Sequence, residues 1–168
     1  MERLPDDNQV VLSACQGLNR SSFSDGEALL LEGDTEGRLL VLTSGRVAIM
    51  KGRIEVASVS EPGTLLGEIS VLLGTACTAD VLARGPVEAY VVEDGTAFLS
   101  GNPSVALVAA RLLARRLTDA TSYLADVKDQ FSDMSGHFGM MDRILDTLLH
   151  APVGRAAPRI MDETDPRL

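Results

Sequence analysis

In Leu66-Gly67-Glu68-Ile69-Ser70-Val71-Leu72-Leu73-Gly74-Thr75-Ala76-Cys77-Thr78-Ala79-Asp80-Val81, a glycine opens one short apolar helical turn that carries a glutamate. A second glycine closes the turn, and a strand of small residues follows. Backbone N–H groups left free at a helix start, approached closely through a glycine, form a ready anion site. Glu68 at that start complements the helix dipole and offers a carboxylate to ligand hydroxyls. The segment therefore reads as a small-molecule binding loop set between two strands.

On either side, from about residue 23 to residue 93, short apolar or alternating runs are separated by turn residues. The runs are Ala28–Leu31, Leu39–Leu42, Val47–Met50, Ile54–Ala57, Val81–Ala83 and Val87–Val92. Between them fall Asp25-Gly26, Gly33-Asp34, Ser44-Gly45, Lys51-Gly52, Pro62-Gly63 and Gly85-Pro86. Turns roughly every ten residues, joining runs too short for helices, predict an antiparallel sandwich or barrel, which we read as a small jelly roll. The fold class is thus mainly β with α, the helices lying largely downstream.

After Glu93 the pattern changes. Asp94 N-caps a predicted short helix to Leu99, and Asn102-Pro103 opens a long one. Ala106, Ala110, Leu113, Leu117, Ala120, Leu124, Val127 and Phe131 recur in steps of four and three, as in the a/d seam of a coiled coil. This predicts a homodimer through the long helix. The alternative is a helix packed only on its own sandwich. Gly136 and Gly139 each cost about 1 kcal/mol inside a helix, which predicts a break near 133–139 and a separate helix to about His150. The expected organisation is a sandwich with flanking short helices over 1–100, the dimer helix over 101–132, a helical segment over 133–150 and a disordered tail over 151–168.

Composition narrows the function classes. The formal net charge of −9 disfavours nonspecific binding to nucleic acid and to anionic membranes. The start, Met1-Glu2-Arg3-Leu4-Pro5-Asp6-Asp7, lacks a basic and an apolar region, and two distant cysteines imply no disulfide framework. The expected location is cytoplasmic. The two histidines, His137 and His150, lie beyond the sandwich, so a cupin-type metal centre has no ligand set. GxSxG, P-loop and CxxC patterns are missing too, so the chain reads as a non-enzyme with no cofactor or metal.

The order glycine, glutamate, short helix, small hydroxyl strand resembles the phosphate-binding cassette of cyclic-nucleotide-binding domains. The likeness runs from about Leu18 to Val127. It includes Phe23, Gly26, Leu31, Gly33, Leu40, Ser44-Gly45-Arg46-Val47, Pro62-Gly63 and Gly67-Glu68. Asn102-Pro103 and Leu113-Ala114-Arg115-Arg116-Leu117 resemble the dimer helix of catabolite-activator-type regulators. The resemblance implies cyclic AMP or cyclic GMP as ligand, with Gly67, Glu68, Ile69, Thr78 and Ala79 as cassette residues. It further implies Thr121 toward the base, and Arg116 as a partner for Glu68. Where the family places an arginine against the cyclic phosphate, this chain has Cys77. A charge-assisted contact of that kind contributes about 1.5–3 kcal/mol, so weak or absent binding is expected.

Two readings stay open: a sensor acting through an unidentified protein partner, or a dimeric scaffold that has lost its ligand. Cys77 is either a sensing thiol or a small residue packed on its strand. The apolar face Met134, Phe138, Met140, Met141, Ile144, Leu145, Leu148 and Leu149 is a candidate partner surface, or folds back on the chain. Family relatives that bind DNA do so through a helix-turn-helix. The stretch 134–168, with Arg143, Arg155, Arg159 and Arg167 as its basic residues, is too short for one, so direct DNA binding is not expected.

Overall fold

The computed structural model describes residues 6–130 and 143–148. Helix α1 (Asp7–Ala14) leads into eight strands: β1 (Arg20–Phe23), β2 (Ala28–Leu30), β3 (Leu39–Ser44), β4 (Val47–Lys51), β5 (Ile54–Val59), β6 (Leu65–Leu66), β7 (Asp80–Ala83) and β8 (Val87–Val92). Helix α2 (Glu68–Leu73) interrupts them between β6 and β7, and α3 (Gly95–Gly101) and α4 (Pro103–Gln130) follow. All strand pairs are antiparallel. They form two four-stranded sheets, ordered β1-β8-β3-β6 and β2-β7-β4-β5. Of the sandwich and the barrel that the turn spacing allows, this is the sandwich, a jelly roll as read.

The run Leu39-Leu40-Val41-Leu42 shows why the layers form. All four residues are buried, but side chains alternate across a strand. Leu40 and Leu42 enter the core between the sheets with Leu29, Leu30, Val47, Leu66, Val81, Ala83, Val87 and Ala89. Leu39 and Val41 point the other way, into a second core with Val11, Cys15, Val71, Leu99, Val105, Val108 and Ala109. The first sheet is thus covered on both faces, and an unbroken apolar strand is the consequence. Each such leucine contributes about 1.5–3 kcal/mol of burial.

Two strands and one helix carry weak sequence signals. Strand β1, Arg-Ser-Ser-Phe, lacks apolar alternation and exists because Arg20 to Phe23 register against Tyr90 to Val87 of β8. Strand β6 has only two residues. Helix α1 is capped by Asp6, whose carboxylate accepts from the Asn8 N–H at 3.4 Å, and it buries Val11, with Cys15 at its end.

The downstream helices follow expectation. Asp94 accepts from the Ala97 N–H at 2.8 Å and caps α3. Asn102 Nδ2 donates to the Phe98 carbonyl at 2.8 Å where α3 gives way to α4. Two compact units divide at Leu113/Ala114. The first holds the sandwich, α1 to α3 and the start of α4, which buries Val105, Val108 and Ala109. The second holds the rest of α4 and the helical residues 143–148. The expected break at 133–139, Phe131 of the seam and the tail 151–168 lie outside the described residues. Among the described residues no single helix is long and apolar enough to cross a membrane.

Candidate functional site

The cassette begins at Gly67, the N-cap of α2, with φ 89° and ψ 4°. A side chain there would be strained by the left-handed backbone, and its Cβ would lie 2.8 Å from the Arg38 carbonyl oxygen and 3.0 Å from Leu30 Cδ1. Only glycine lets β6 turn into α2 this close to Arg38. Glu68, in the first turn, is 4% exposed, a depth carboxylates rarely reach unless they are engaged. Ser70, also buried, donates from Oγ to the Gly67 carbonyl at 2.9 Å. Gly74 ends the helix in a left-handed C-cap with φ 64°, and its N–H reaches the Ser70 and Val71 carbonyls.

Beyond Gly74 the chain crosses to β7 past the loop that follows β2. The Cys77 N–H donates to the Asp34 carbonyl at 2.8 Å, and the Cys77 carbonyl accepts from the Gly33 N–H at 2.8 Å. Cys77 is therefore fixed by its backbone on both sides. Its Sγ lies 3.6 Å from Ser70 Oγ, and its side chain is half-buried against the core between the sheets. The Glu32 N–H donates to Asp80 Oδ1 at 2.6 Å and closes the loop at the start of β7.

The nearby cations are already engaged. Lys51 Nζ donates to the Thr78 carbonyl and to Glu32 Oε1, both at 2.5 Å. Arg38 Nη2 donates to Asp34 Oδ2 at 3.0 Å, and its Nε lies 2.7 Å from Glu36 Oε2 but outside hydrogen-bond geometry. The Glu36 N–H, and then the Arg38 guanidinium, hold the Asp34 carboxyl below its usual range. Arg38 is pushed up, chiefly by its bond to Asp34.

The structure brings Gly67, Glu68, Ile69, Cys77, Thr78 and Ala79 into one strand-helix-strand unit, with Ile69 37% exposed and Thr78 exposed. Arg116 and Thr121 stand on α4 within the second unit. Arg116 is exposed, and Thr121 Oγ1 donates to the Leu117 carbonyl at 2.7 Å. Sequence reasoning missed Ser70, Lys51 and Arg38. Lys51 carries a local signal in its hairpin turn, whereas the Arg38 contacts come from how the 33–38 loop folds. Among the described residues no group of three or more His, Cys, Asp or Glu side chains could hold a metal ion.

Helix α2 is also tied to α3. A Cβ on Gly95 would lie 2.7 Å from Val71 Cγ2, and the Gly95 N–H donates to the Gly37 carbonyl at 3.0 Å. A shift of the cassette helix meets α3 directly.

Comparison with known proteins bears on the family and the fold. The family model described as cyclic nucleotide-binding domain matches residues 20–98. The chain is 30% identical over 122 residues to the cyclic AMP receptor protein of Thermus thermophilus, covering 69% of this chain and 55% of that protein. It is 27% identical over 133 residues to the CRP-like cAMP-activated global transcriptional regulator of Mycobacterium tuberculosis, covering 76% and 58%. The chain therefore spans little more than half the length of these curated relatives. The crystal structure of the Thermus thermophilus catabolite activator protein shares the fold with a TM-score of 0.60 at 23% identity, covering 92% of this chain and 88% of that one. Through residues 20–98 the chain belongs to the cyclic nucleotide-binding domain family.

Proposed function

We propose that this chain is a regulatory domain that takes a cyclic nucleotide weakly in the cassette and passes the bound state to α3 and α4. It acts as a homodimer and through a protein partner, without catalysis of its own. The observation that carries this reading is Glu68, a carboxylate 4% exposed behind the left-handed Gly67. Relatives named for cyclic AMP support the ligand class. Glu68 takes the ribose hydroxyl and the α2 amides take the phosphate, while Cys77 leaves the charge-assisted contact unmade. The contact of Val71 with Gly95 carries motion to the 93–102 hinge, a shift between two packings.

The dimer rests on α4. Its buried residues are Val105, Val108 and Ala109, whereas the seam presents Ala110 and Ala120 exposed, Leu117 45% exposed, and Leu113, Leu124 and Val127 half-buried. A second helix laid on that seam buries two identical stripes. The net charge of −9 argues for output through protein rather than direct contact with DNA.

The second reading, a scaffold without ligand, is favoured by one observation: Cys77 Sγ already contacts Ser70 Oγ at 3.6 Å inside the cassette. Amide hydrogen exchange on the full chain, with and without millimolar cyclic AMP or cyclic GMP, separates the two. The sensor reading expects slowed exchange at 67–80 and altered exchange at 94–102. Unchanged exchange with both nucleotides overturns it.

A further inference from the structure

A polar cleft of about 390 Å³ lies between α1 and strands β1, β3 and β8. None of its lining residues belongs to the cassette at 67–80. Gln9, Leu12, Ser13 and Gln16 form one wall. Their spacing of three and four residues puts them on one face of α1 and of the turn that ends it. Val11 and Cys15, buried in the core with Val41 and Val105, belong to a different face and hold the helix in place. The Gln9, Ser13 and Gln16 side chains carry no formal charge and make no hydrogen bond with any described residue.

Arg20, Tyr90 and Glu88 form the opposite wall. Arg20 and Tyr90 are cross-strand partners, and Glu88 stands two residues before Tyr90 on the same face of β8. Tyr90 packs against the core beneath α1. The Arg20 guanidinium lies 4.9 Å over its ring, and Nη2 donates to its hydroxyl at 3.1 Å. Ring and hydroxyl together fix the plane of the guanidinium before any ligand arrives. Arg20 Nη1 stands 3.8 Å from Glu88 Oε2, beyond hydrogen-bond length, and the two side chains are 54% and 50% exposed. The Thr43 hydroxyl donates to the Glu88 carbonyl at 2.9 Å and so fixes Glu88 by its backbone. The Glu88 carboxylate itself accepts no hydrogen bond from any described residue.

We propose that this cleft binds a free α-amino acid, its carboxylate on Arg20, its ammonium on Glu88 and an uncharged polar side chain along Gln9 and Gln16. The charges select a zwitterion. A plain anion, phosphate included, is drawn to Arg20 but repelled by Glu88, and a plain cation meets the reverse. In an α-amino acid the ammonium nitrogen and the carboxylate carbon are two bonds apart. The groups that receive them must therefore be neighbours, as Arg20 and Glu88 are. A peptide terminus brings one of the two charges and leaves the other side chain unmatched. The uncharged wall of α1 suits a side-chain amide, which both donates and accepts as Gln9 and Gln16 do. The cleft volume falls within the range of small-molecule sites. The site shares no residue with the cassette and needs no nucleotide.

Calorimetric titration of the full chain with L-glutamine and L-asparagine, up to tens of millimolar, tests this, and saturable binding is expected. Acetylating the α-amine or amidating the α-carboxylate of either probe removes one charge and should weaken it by about fivefold or more. R20Q and E88Q remove the receiving charges and should weaken the free amino acid by as much. R20Q should then treat the amidated probe as wild type does, and E88Q the acetylated one, because each lacks only a contact that the probe has already lost. Circular dichroism checks that both variants are folded, and the blocked probes test the wild type without any substitution. Heat indistinguishable from dilution with both amino acids overturns the proposal. So does equal affinity for free and blocked forms, or an affinity unmoved in folded R20Q and E88Q.

Discussion

Replacing Cys77 with arginine perturbs the cassette at one point while leaving its frame in place. The backbone of Cys77 is held by the Asp34 carbonyl and the Gly33 N–H, each at 2.8 Å, and neither bond involves the side chain. The change removes the contact of Sγ with Ser70 Oγ at 3.6 Å and some packing at the margin of the inter-sheet core, a stability loss of about 1 kcal/mol. A charge-assisted contact to the cyclic phosphate returns about 1.5–3 kcal/mol, while ordering the long side chain costs about 0.5–1.5 kcal/mol. The balance, roughly 1.5 kcal/mol, is about tenfold in Kd. Isothermal titration calorimetry of wild type and C77R with cyclic AMP and cyclic GMP reads it directly. Nanomolar binding by wild type would refute the reasoning, since another group would then hold the phosphate. So would no gain in a folded C77R.

Gly67→Ala meets a left-handed backbone and a carbonyl 2.8 Å from its Cβ, so urea unfolding should show a loss of about 2–4 kcal/mol. Burial raises the Cys15 thiol from the ordinary 9.0 to about 11. A raised folded pKa stabilises fully below the unfolded value and loses that contribution as pH rises through the folded one. Wild type should therefore lose about 2–3 kcal/mol between roughly pH 9 and 11, from two pKa units at 1.36 kcal/mol each, and Cys15→Ala should lack that slope. In the native state a thiol reagent should modify the half-buried Cys77 and spare the fully buried Cys15. The double variant L117E/L124E should give monomers at the α4 seam with the sandwich intact, read by ultracentrifugation and circular dichroism; persistence of the seam dimer would exclude that interface.

The sandwich was legible because its turns are chemically explicit and because Leu39–Leu42, Val47–Met50 and Val87–Val92 are apolar enough to be nothing but strands. Strand β1 was not, since Arg20-Ser21-Ser22 becomes a strand only through the backbone of β8. Helix α1 was hidden for a related reason: one turn-length stripe of Val11 and Cys15 finds its partners in β3 and α4, far along the chain. In the cassette, Gly67, Glu68 and Gly74 could be read from the sequence because a tight strand-to-helix turn needs those residue types. The engagement of Arg38 and Lys51 by Asp34, Glu36 and Glu32 could not, because it depends on two loops meeting.

The claim that the cassette binds a cyclic nucleotide weakly through Glu68 is tested most directly by calorimetric titration of the full chain beside Glu68→Gln. A ligand of about 22 heavy atoms at roughly 0.3 kcal/mol per atom binds at about 10 μM, and the missing charged contact weakens this to about 0.1–2 mM. The account predicts saturable binding by wild type in that range, weakened about tenfold or more in the variant. Heat indistinguishable from dilution up to several millimolar, or equal affinity in wild type and Glu68→Gln, would contradict it.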